Sequence, residues 1–351
     1  MAQTFDTLNA LLNHGFDTVI DVRSPAEFAE DHIPGAINLP VLSNQERADV
    51  GTTYKQQSPF MGRKTGAALV FRNAADHIAG PLRDRDGAWR PLVYCWRGGQ
   101  RSGAFSWMLG QIGWRADVIA GGYKTYRCLV NTLLYDGVIP HRVVLLDGYT
   151  GTAKTEILHH LATLGVQVLD LEGAAGHRGS LLGGLGEQPS QKMFESRLAA
   201  VLHGLDPSRP VVVEAESSKI GDRLIPPALW EVMKTAPRIE IAAPIEDRTA
   251  YLVEAYADVL ADAERLRTAL APLHKFRGHD VIDGWFEQIA QGDLPGLTRA
   301  LMVQHYDPAY AKSRSISGQQ PARIVQADSL DATGIKRVAT KVAQALQDTV
   351  I

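Results

Sequence analysis

Short β-branched runs alternate with stretches whose apolar residues fall at helical spacing through the first third of the chain, the pattern of an α/β fold. Thr18 to Val22 reads as a buried strand, Pro25 to Asp31 as a short helix with proline in its first turn, and Pro91 to Cys95 as another strand. Ser102 to Ile112 follows as a helix, Asp117 to Ala120 as a strand closed by Gly121 and Gly122, and Tyr123 to Leu134 as a helix. The pattern breaks at Asp136 to Pro140 and restarts with a strand at Val143 to Asp147, a Gly/Thr-rich turn and a helix from Glu156 to Leu164. Val166 to Leu171 and Val211 to Glu214 predict further parallel strands, whereas Gly173 to Gly186, with six glycines, predicts a loop. Beyond Pro244, Leu252, Ala255, Val259, Ala263, Leu266 and Leu270 repeat at helical spacing. The expected organisation is α/β: a first domain over 1–138, a parallel-sheet domain core over 139–243, and a mainly helical portion over 244–351 that packs on or completes it.

A length of 351 residues agrees with two or three domains, at about 150 residues each. The net charge of −3 is no sign of a nucleic-acid binder, so any such surface must be local. Residues 240–264 carry −6, expected of a solvated helix face, while 47–72 and 95–127 each carry +4 and are candidate contacts to a nucleic-acid backbone. Trp96, Trp107, Trp114 and Tyr123 lie in the second stretch, and Trp96, within a loop, is the best placed to stack on a base. Two cysteines, Cys95 and Cys128, are too few for a disulfide scaffold or a Cys-built zinc site, and no metal ligands are assigned. The N-terminus lacks a basic start with an apolar core, and no 18-residue apolar run occurs. The expectation is a cytoplasmic protein with reduced thiols and no membrane association.

Cys95 ends a strand, and Trp96, Arg97, Gly98, Gly99, Gln100 and Arg101 lead through a tight turn into a helix at Ser102. Such a loop can aim backbone N–H groups inward as an anion cradle and, with two arginines and a helix N-terminus, favour thiolate over thiol. Cys128, among Leu129, Val130 and Leu133, has no such loop and reads as a packing residue. Two chemistries share the Cys-x5-Arg-Ser pattern, a cysteine phosphatase and a sulfur carrier whose cysteine holds a persulfide. A second candidate site is Gly148, Tyr149, Thr150, Gly151, Thr152, Ala153, Lys154 and Thr155, set between a strand and a helix. It fits the P-loop except that Ala153 replaces the last glycine: N–H groups would wrap phosphate oxygens, with Lys154 as the point charge and Thr155 available to magnesium. Glu214 and then Glu216, at the end of a later strand, are candidates to assist that ion, and His177 and Arg178 lie in a glycine-flanked basic loop suited to an anion or RNA.

Context narrows the choice. Asp21 and Arg23 in Asp21-Val22-Arg23-Ser24-Pro25-Ala26-Glu27-Phe28, the segment His32 to Asn38, the cysteine loop and Gly121-Gly122-Tyr123 together resemble the rhodanese family over roughly residues 5–130. Asp21 and Arg23 fit a structural ion pair as well as a catalytic role. With the segment Gly51 to Gln57, the P-loop, Leu171-Glu172-Gly173, His177 to Ser180 and Tyr306 to Tyr310, the chain resembles the bacterial tRNA 2-selenouridine synthase family. That resemblance implies a rhodanese-like domain joined to a P-loop NTPase-like domain. It implies replacement of sulfur by selenium in 2-thiouridine at the tRNA wobble position, with selenophosphate as donor, through an S-geranyl intermediate made from geranyl diphosphate. Cys95 would hold or deliver selenium, its loop would bind selenophosphate, and the P-loop would take the diphosphate. The tRNA anticodon region is the implied partner, and the selenophosphate-producing enzyme a further one. The rivals are a rhodanese-fold phosphatase or sulfurtransferase with a regulatory P-loop, and a non-catalytic tRNA-binding adaptor.

Overall fold

The computed structural model describes residues 1–317 and 320–348, and the side chains of 313–317 and 348 are not described. The chain forms two compact units, one of residues 1–138 with 189–204, the other of residues 139–188 with 205–351. The break predicted near Asp136 to Pro140 coincides with the first boundary. Residues 189–204, expected within the P-loop portion, instead pack with the first unit.

The first unit is built on a five-stranded parallel sheet of β1 (Ala2–Gln3), β2 (Thr18–Asp21), β3 (Ile37–Asn38), β4 (Pro91–Tyr94) and β5 (Asp117–Ile119), in the order β1-β5-β4-β2-β3. β4 is buried along its whole length, as expected where helices cover both faces of a parallel sheet. One core cluster gathers Ile20, Val22, Val93, Cys95, Phe105 and Leu109. Beyond β2, Arg23 is 1% exposed and Asp21 fully buried. The guanidinium donates to both Asp21 oxygens at 2.7–3.0 Å and to the Asp31 carbonyl at 2.6 Å, and lies 3.9 Å from the Tyr123 ring. The Gln191–Gly204 helix completes this unit with Glu195, whose carboxylate accepts from Arg127 and from the Tyr135 hydroxyl.

The second unit has a parallel sheet of β6 (Val143–Asp147), β7 (Gln167–Leu169), β8 (Val211–Glu214), β11 (Arg238–Ala242) and β12 (Arg323–Gln326), in the order β12-β11-β6-β8-β7. A small antiparallel pair, β9 (Lys219–Ile220) and β10 (Arg223–Leu224), stands apart from it. β6 is central, so the loop that follows it opens at the carboxyl edge of the sheet, where ligands bind in open α/β folds. The C-terminal residues complete this core, because Val325, Ile335, Val338 and Val342 pack with Leu146, Ile157 and Leu161. Helices between Ile245 and Leu301 form a separate cluster around Leu266, Ile282 and Trp285. Among the described residues no helix is long and apolar enough to cross a membrane.

Removing the Arg23 guanidinium leaves Asp21 buried without its partner. Arg23→Met is therefore expected to lower the stability of the first unit by about 3–5 kcal/mol, read as an earlier urea transition by tryptophan fluorescence.

Candidate functional site

The first candidate site is the loop between β4 and the Gln100–Ile112 helix. Cys95 is 4% exposed. Its Sγ accepts from the Gly99 N–H at 3.3 Å and from the Ser102 hydroxyl at 3.2 Å. Burial pushes the thiol up, but the Ser102 and Gly99 hydrogen bonds and the charge of Arg101 outweigh it and hold the group below its ordinary value. A Gly121-Gly122-Tyr123 turn braces the loop from behind, its Tyr123 N–H donating to the Cys95 carbonyl at 2.8 Å and the Lys124 N–H to the Trp96 carbonyl at 3.0 Å. The Tyr123 hydroxyl is anchored on buried Asp31 at 2.7 Å.

The predicted anion loop has an exposed part and a held part. Arg97, Gly99 and Gln100 are exposed at its mouth, Gly98 (φ +62°) makes the turn, and Trp96 is half-buried with its ring 5.3 Å from that of Tyr123. Arg101 is held by Glu27, at 2.7 and 3.3 Å, so its charge acts on the sulfur through space while its N–H groups serve the carboxylate. Asp21 and Arg23 sit behind the loop as a buried pair and touch no atom of Cys95 among the hydrogen bonds of the site. Ser102, which the sequence offered only as the start of a helix, is a direct partner of the thiol; Cys-x5-Arg-Ser could have signalled it. Cys128 is exposed, which corrects its reading as a packing residue.

The second candidate site lies in the second unit, where Gly148 to Thr155 wraps from β6 into the Lys154–Thr163 helix. Gly148 (φ +155°) and Gly151 (φ +85°) have backbone angles suited to glycine, and Ala153 (φ +56°) is the one non-glycine residue with positive φ among the described residues. Lys154 Nζ donates to the Gly148 carbonyl at 3.0 Å, and the Thr152 hydroxyl to that of Tyr149 at 2.8 Å. The Tyr149 ring is 5.4 Å from the Tyr310 ring and 5.4 Å from the Arg248 guanidinium. Arg248 also donates to the Thr150 carbonyl at 2.9 Å and pairs with Asp307, fastening the outer arm of the loop.

Carboxylates gather at the inner end. The Thr155 hydroxyl donates to Glu172 at 2.7 Å. Glu214 accepts the Leu171 and Glu172 N–H groups with one oxygen, while its other oxygen is buried without a partner. Burial first, and then the neighbouring carboxylates, push both Glu172 and Glu214 up from the ordinary glutamate value. Burial raises Glu216 too, against the pull of Lys154. Gly179 (φ +68°) closes over the pair, since a Cβ there would stand 2.6 Å from Glu172 and 2.9 Å from Glu216. Glu172, placed by the sequence only beside the basic loop, thus joins the site; an acid three residues past β7 was the available signal. His177 lines the same cleft, with Nδ1 accepting the Gly179 N–H at 3.1 Å. Arg178 lines it also but pairs with Asp258 at 3.1 Å, over the Tyr256 ring. The helix Leu171–Ala175 takes Leu171 from the predicted strand and runs into the stretch predicted as loop from Gly173. The cleft is about 1170 Å³, lined by the P-loop, by Asp170, Glu172 and Glu216, and by Leu181, Leu185, Trp230, Met233, Leu252 and Tyr256. Among the described residues no three His, Cys, Asp or Glu side chains are grouped to hold a metal ion by themselves.

Two family descriptions match the chain: a rhodanese-like domain over residues 4–127 and a tRNA 2-selenouridine synthase AAA domain over residues 141–279. A tRNA 2-selenouridine synthase of Nitrosomonas europaea is 37% identical over 264 residues, covering 73% of this chain and 68% of that protein. One from Pseudomonas syringae pv. syringae is 32% identical over 336 residues, covering 84% and 88%. One from Chromohalobacter salexigens is 38% identical over 256 residues, covering 69% and 66%.

A thiol held below its ordinary value stays reactive to lower pH. The rate of Cys95 alkylation by iodoacetamide is expected to rise to half its maximum at a pH below that of a free thiol, at about 8.5, and Ser102→Ala to move that midpoint upward.

Proposed function

The chain belongs to the tRNA 2-selenouridine synthase family, and from that premise we propose that it replaces the sulfur of wobble 2-thiouridine in tRNA by selenium, drawing on selenophosphate. The observation that carries the residue assignment is the Cys95 loop: a buried sulfur receives N–H and O–H donors that stabilise its anion, at the bottom of a turn with exposed Arg97 at its mouth. Cys95 is the group that delivers selenium: its thiolate attacks the phosphorus of selenophosphate, the P–Se bond breaks and selenide leaves as the nucleophile, and water then frees phosphate from the sulfur. Trp96 to Arg101 form the pocket for selenophosphate, with the exposed N–H groups and Arg97 as contacts. Asp21, Arg23, Gly121, Gly122 and Tyr123 act as supports that hold the loop in shape.

The second site takes geranyl diphosphate in this reading. Its diphosphate would lie along Gly148 to Thr155, with Lys154 turning from the Gly148 carbonyl to the phosphate oxygens. The apolar lining of the same cleft would receive the isoprenoid tail. Magnesium fits the oxygen donors present, since it is commonly bound through one or two carboxylates together with substrate phosphates. Thr155 and Glu172 would hold it, with Glu214 and Glu216 behind them, and it would neutralise charge on the departing diphosphate. His177 and Arg178 border this cleft as secondary contacts. Alkylation of the thiocarbonyl sulfur at geranyl C1 expels diphosphate. A selenium nucleophile then adds at C2 of the base and geranylthiol leaves, a better leaving group than sulfide.

The phosphatase reading asks Arg101 to bind a phosphate directly, whereas Glu27 occupies that guanidinium. Burial pushes Glu27 up, but Arg101 holds it below its usual value, so the pair is ionised at neutral pH.

The order of the two steps separates the two sites. In cells lacking the native protein, Cys95→Ser should lower 2-selenouridine in tRNA by at least about a hundredfold and let the S-geranyl nucleoside accumulate. Lys154→Ala should leave 2-thiouridine unmodified. Nucleoside mass spectrometry reads all three species, and normal 2-selenouridine with Cys95→Ser overturns the assignment.

A further inference from the structure

The first unit carries a surface that neither candidate site uses. A helix, Asn44–Thr52, runs through a π-helical turn, Thr53–Gln57, into the long Pro59–Ala79 helix. Small residues close this hairpin: a Cβ on Gly62 would stand 2.7 Å from Tyr54 Cα, and one on Gly66 3.1 Å from Val50. Gly62, Gly66, Val70 and Ala74 form the buried stripe of the long helix. The larger apolar side chains are therefore left outside. Phe60 is 65% exposed and Trp107, on the neighbouring Gln100–Ile112 helix, 58% exposed. Tyr54, Met61 and Phe71 are exposed too, and Phe71 meets Trp107 edge to face with ring centres 6.2 Å apart. Trp114 is buried and Trp96 half-buried, so Trp107, rather than the expected Trp96, is the tryptophan ring most open to a partner in this stretch.

Cations interleave with these rings. Phe60, Lys64 and Phe71 recur at spacings of four and seven, which places them on one helix face. Lys55, Arg63 and Arg72 are exposed on the same helical hairpin. Lys55, Arg63 and Lys64 form no ion pair among the described residues, although residues 47–72 carry +4 in a chain of −3. The surface reaches the cysteine loop through Arg47, which lies 3.8 Å from the Glu27 carboxylate that also holds Arg101.

We infer that the face bearing Phe60, Lys64, Phe71 and Trp107, together with exposed Lys55 of the adjoining π-helical turn, binds single-stranded RNA, its cations on phosphates and its open rings stacked on unpaired bases. This deepens the reading of the protein as a tRNA enzyme and rests on it. Charge complementarity selects the partner: unpaired cations set among flat, exposed rings match a polyanion with stacking faces. Unpaired bases are the RNA groups free to stack on side chains. An anticodon loop gripped here would be held on the side of the unit from which Arg47 and Arg101 lead to Cys95.

Binding of a fluorescent anticodon stem-loop to the full chain, followed by anisotropy against salt, tests this. Lys55→Glu with Lys64→Glu should weaken binding by about tenfold or more and flatten the dependence of log affinity on log salt by about two counterions. Phe60→Ala with Trp107→Ala should weaken it by about fivefold or more with the salt slope unchanged. An unchanged Cys95 alkylation profile in both variants confirms that the fold is intact. Wild-type binding that both intact variants retain within twofold overturns the surface and leaves the tRNA reading standing. A wild-type chain with no affinity for the stem-loop or whole tRNA overturns both. Concentration-dependent self-association that these substitutions abolish, with RNA affinity unchanged, assigns the face to a second copy of the chain and also overturns the inference.

Discussion

Two backbone segments pressed together at their glycines shape the cysteine loop. A Cβ on Gly122 would stand 2.2 Å from the Cys95 carbonyl and 2.4 Å from the Gly98 nitrogen, and one on Gly98 would stand 2.5 Å from the Ile119 carbonyl. No other residue type permits that approach, and both glycines also have positive φ. The contact lets Tyr123 and Lys124 take up the carbonyls of Cys95 and Trp96. Donors then converge on the sulfur from the other side of the turn. A cysteine at the end of a buried strand would otherwise be an inert core residue. The Arg23 pair and the Tyr123 contact to Asp31 keep the bracing turn in place, so the support extends well behind the reactive atom.

The phosphate loop meets a similar demand with one departure. Ala153 adopts a left-handed conformation, for which a residue with Cβ bears a cost of about 1–2 kcal/mol. Its methyl is 3% exposed and packs in the core with Ile157 and Leu158. Burying one such group offsets about 0.8 kcal/mol, and the unfolded chain is less flexible than with glycine. The alanine thus keeps the loop conformation that glycine would adopt more easily, and the loop retains its strand, turn and helix order.

Local signals were the legible ones. The strands at Thr18, Pro91, Val143 and Val211, the two loops and the break near Val138 all follow from runs and turns within about ten residues, and the structure places them accordingly. Long-range partners were not legible. Arg101 belongs to the anion loop by sequence, but the carboxylate that holds it, Glu27, lies 74 positions away and carries no local signal. Glu172 reads as part of a basic loop until Thr155 reaches it across the sheet edge. Cys128 reads as packed because its chain neighbours are apolar, yet residues adjacent on a helix point in different directions, and Tyr126 and Val130 take the buried face. The Gln191–Gly204 helix follows its sequence neighbours into the wrong expected unit because Glu195 pairs with Arg127, 68 positions earlier.

Release of selenium from selenophosphate by Cys95 is tested most directly by mass spectrometry. The full chain is incubated with selenophosphate, sampled during turnover with 2-thiouridine-containing tRNA and geranyl diphosphate, and mapped by peptide. One phosphoryl group on the Cys95 peptide, formed and consumed at the rate of 2-selenouridine appearance and absent from Cys128, is the predicted result. Formation of 2-selenouridine at full rate with Cys95 unmodified at every time point would contradict it.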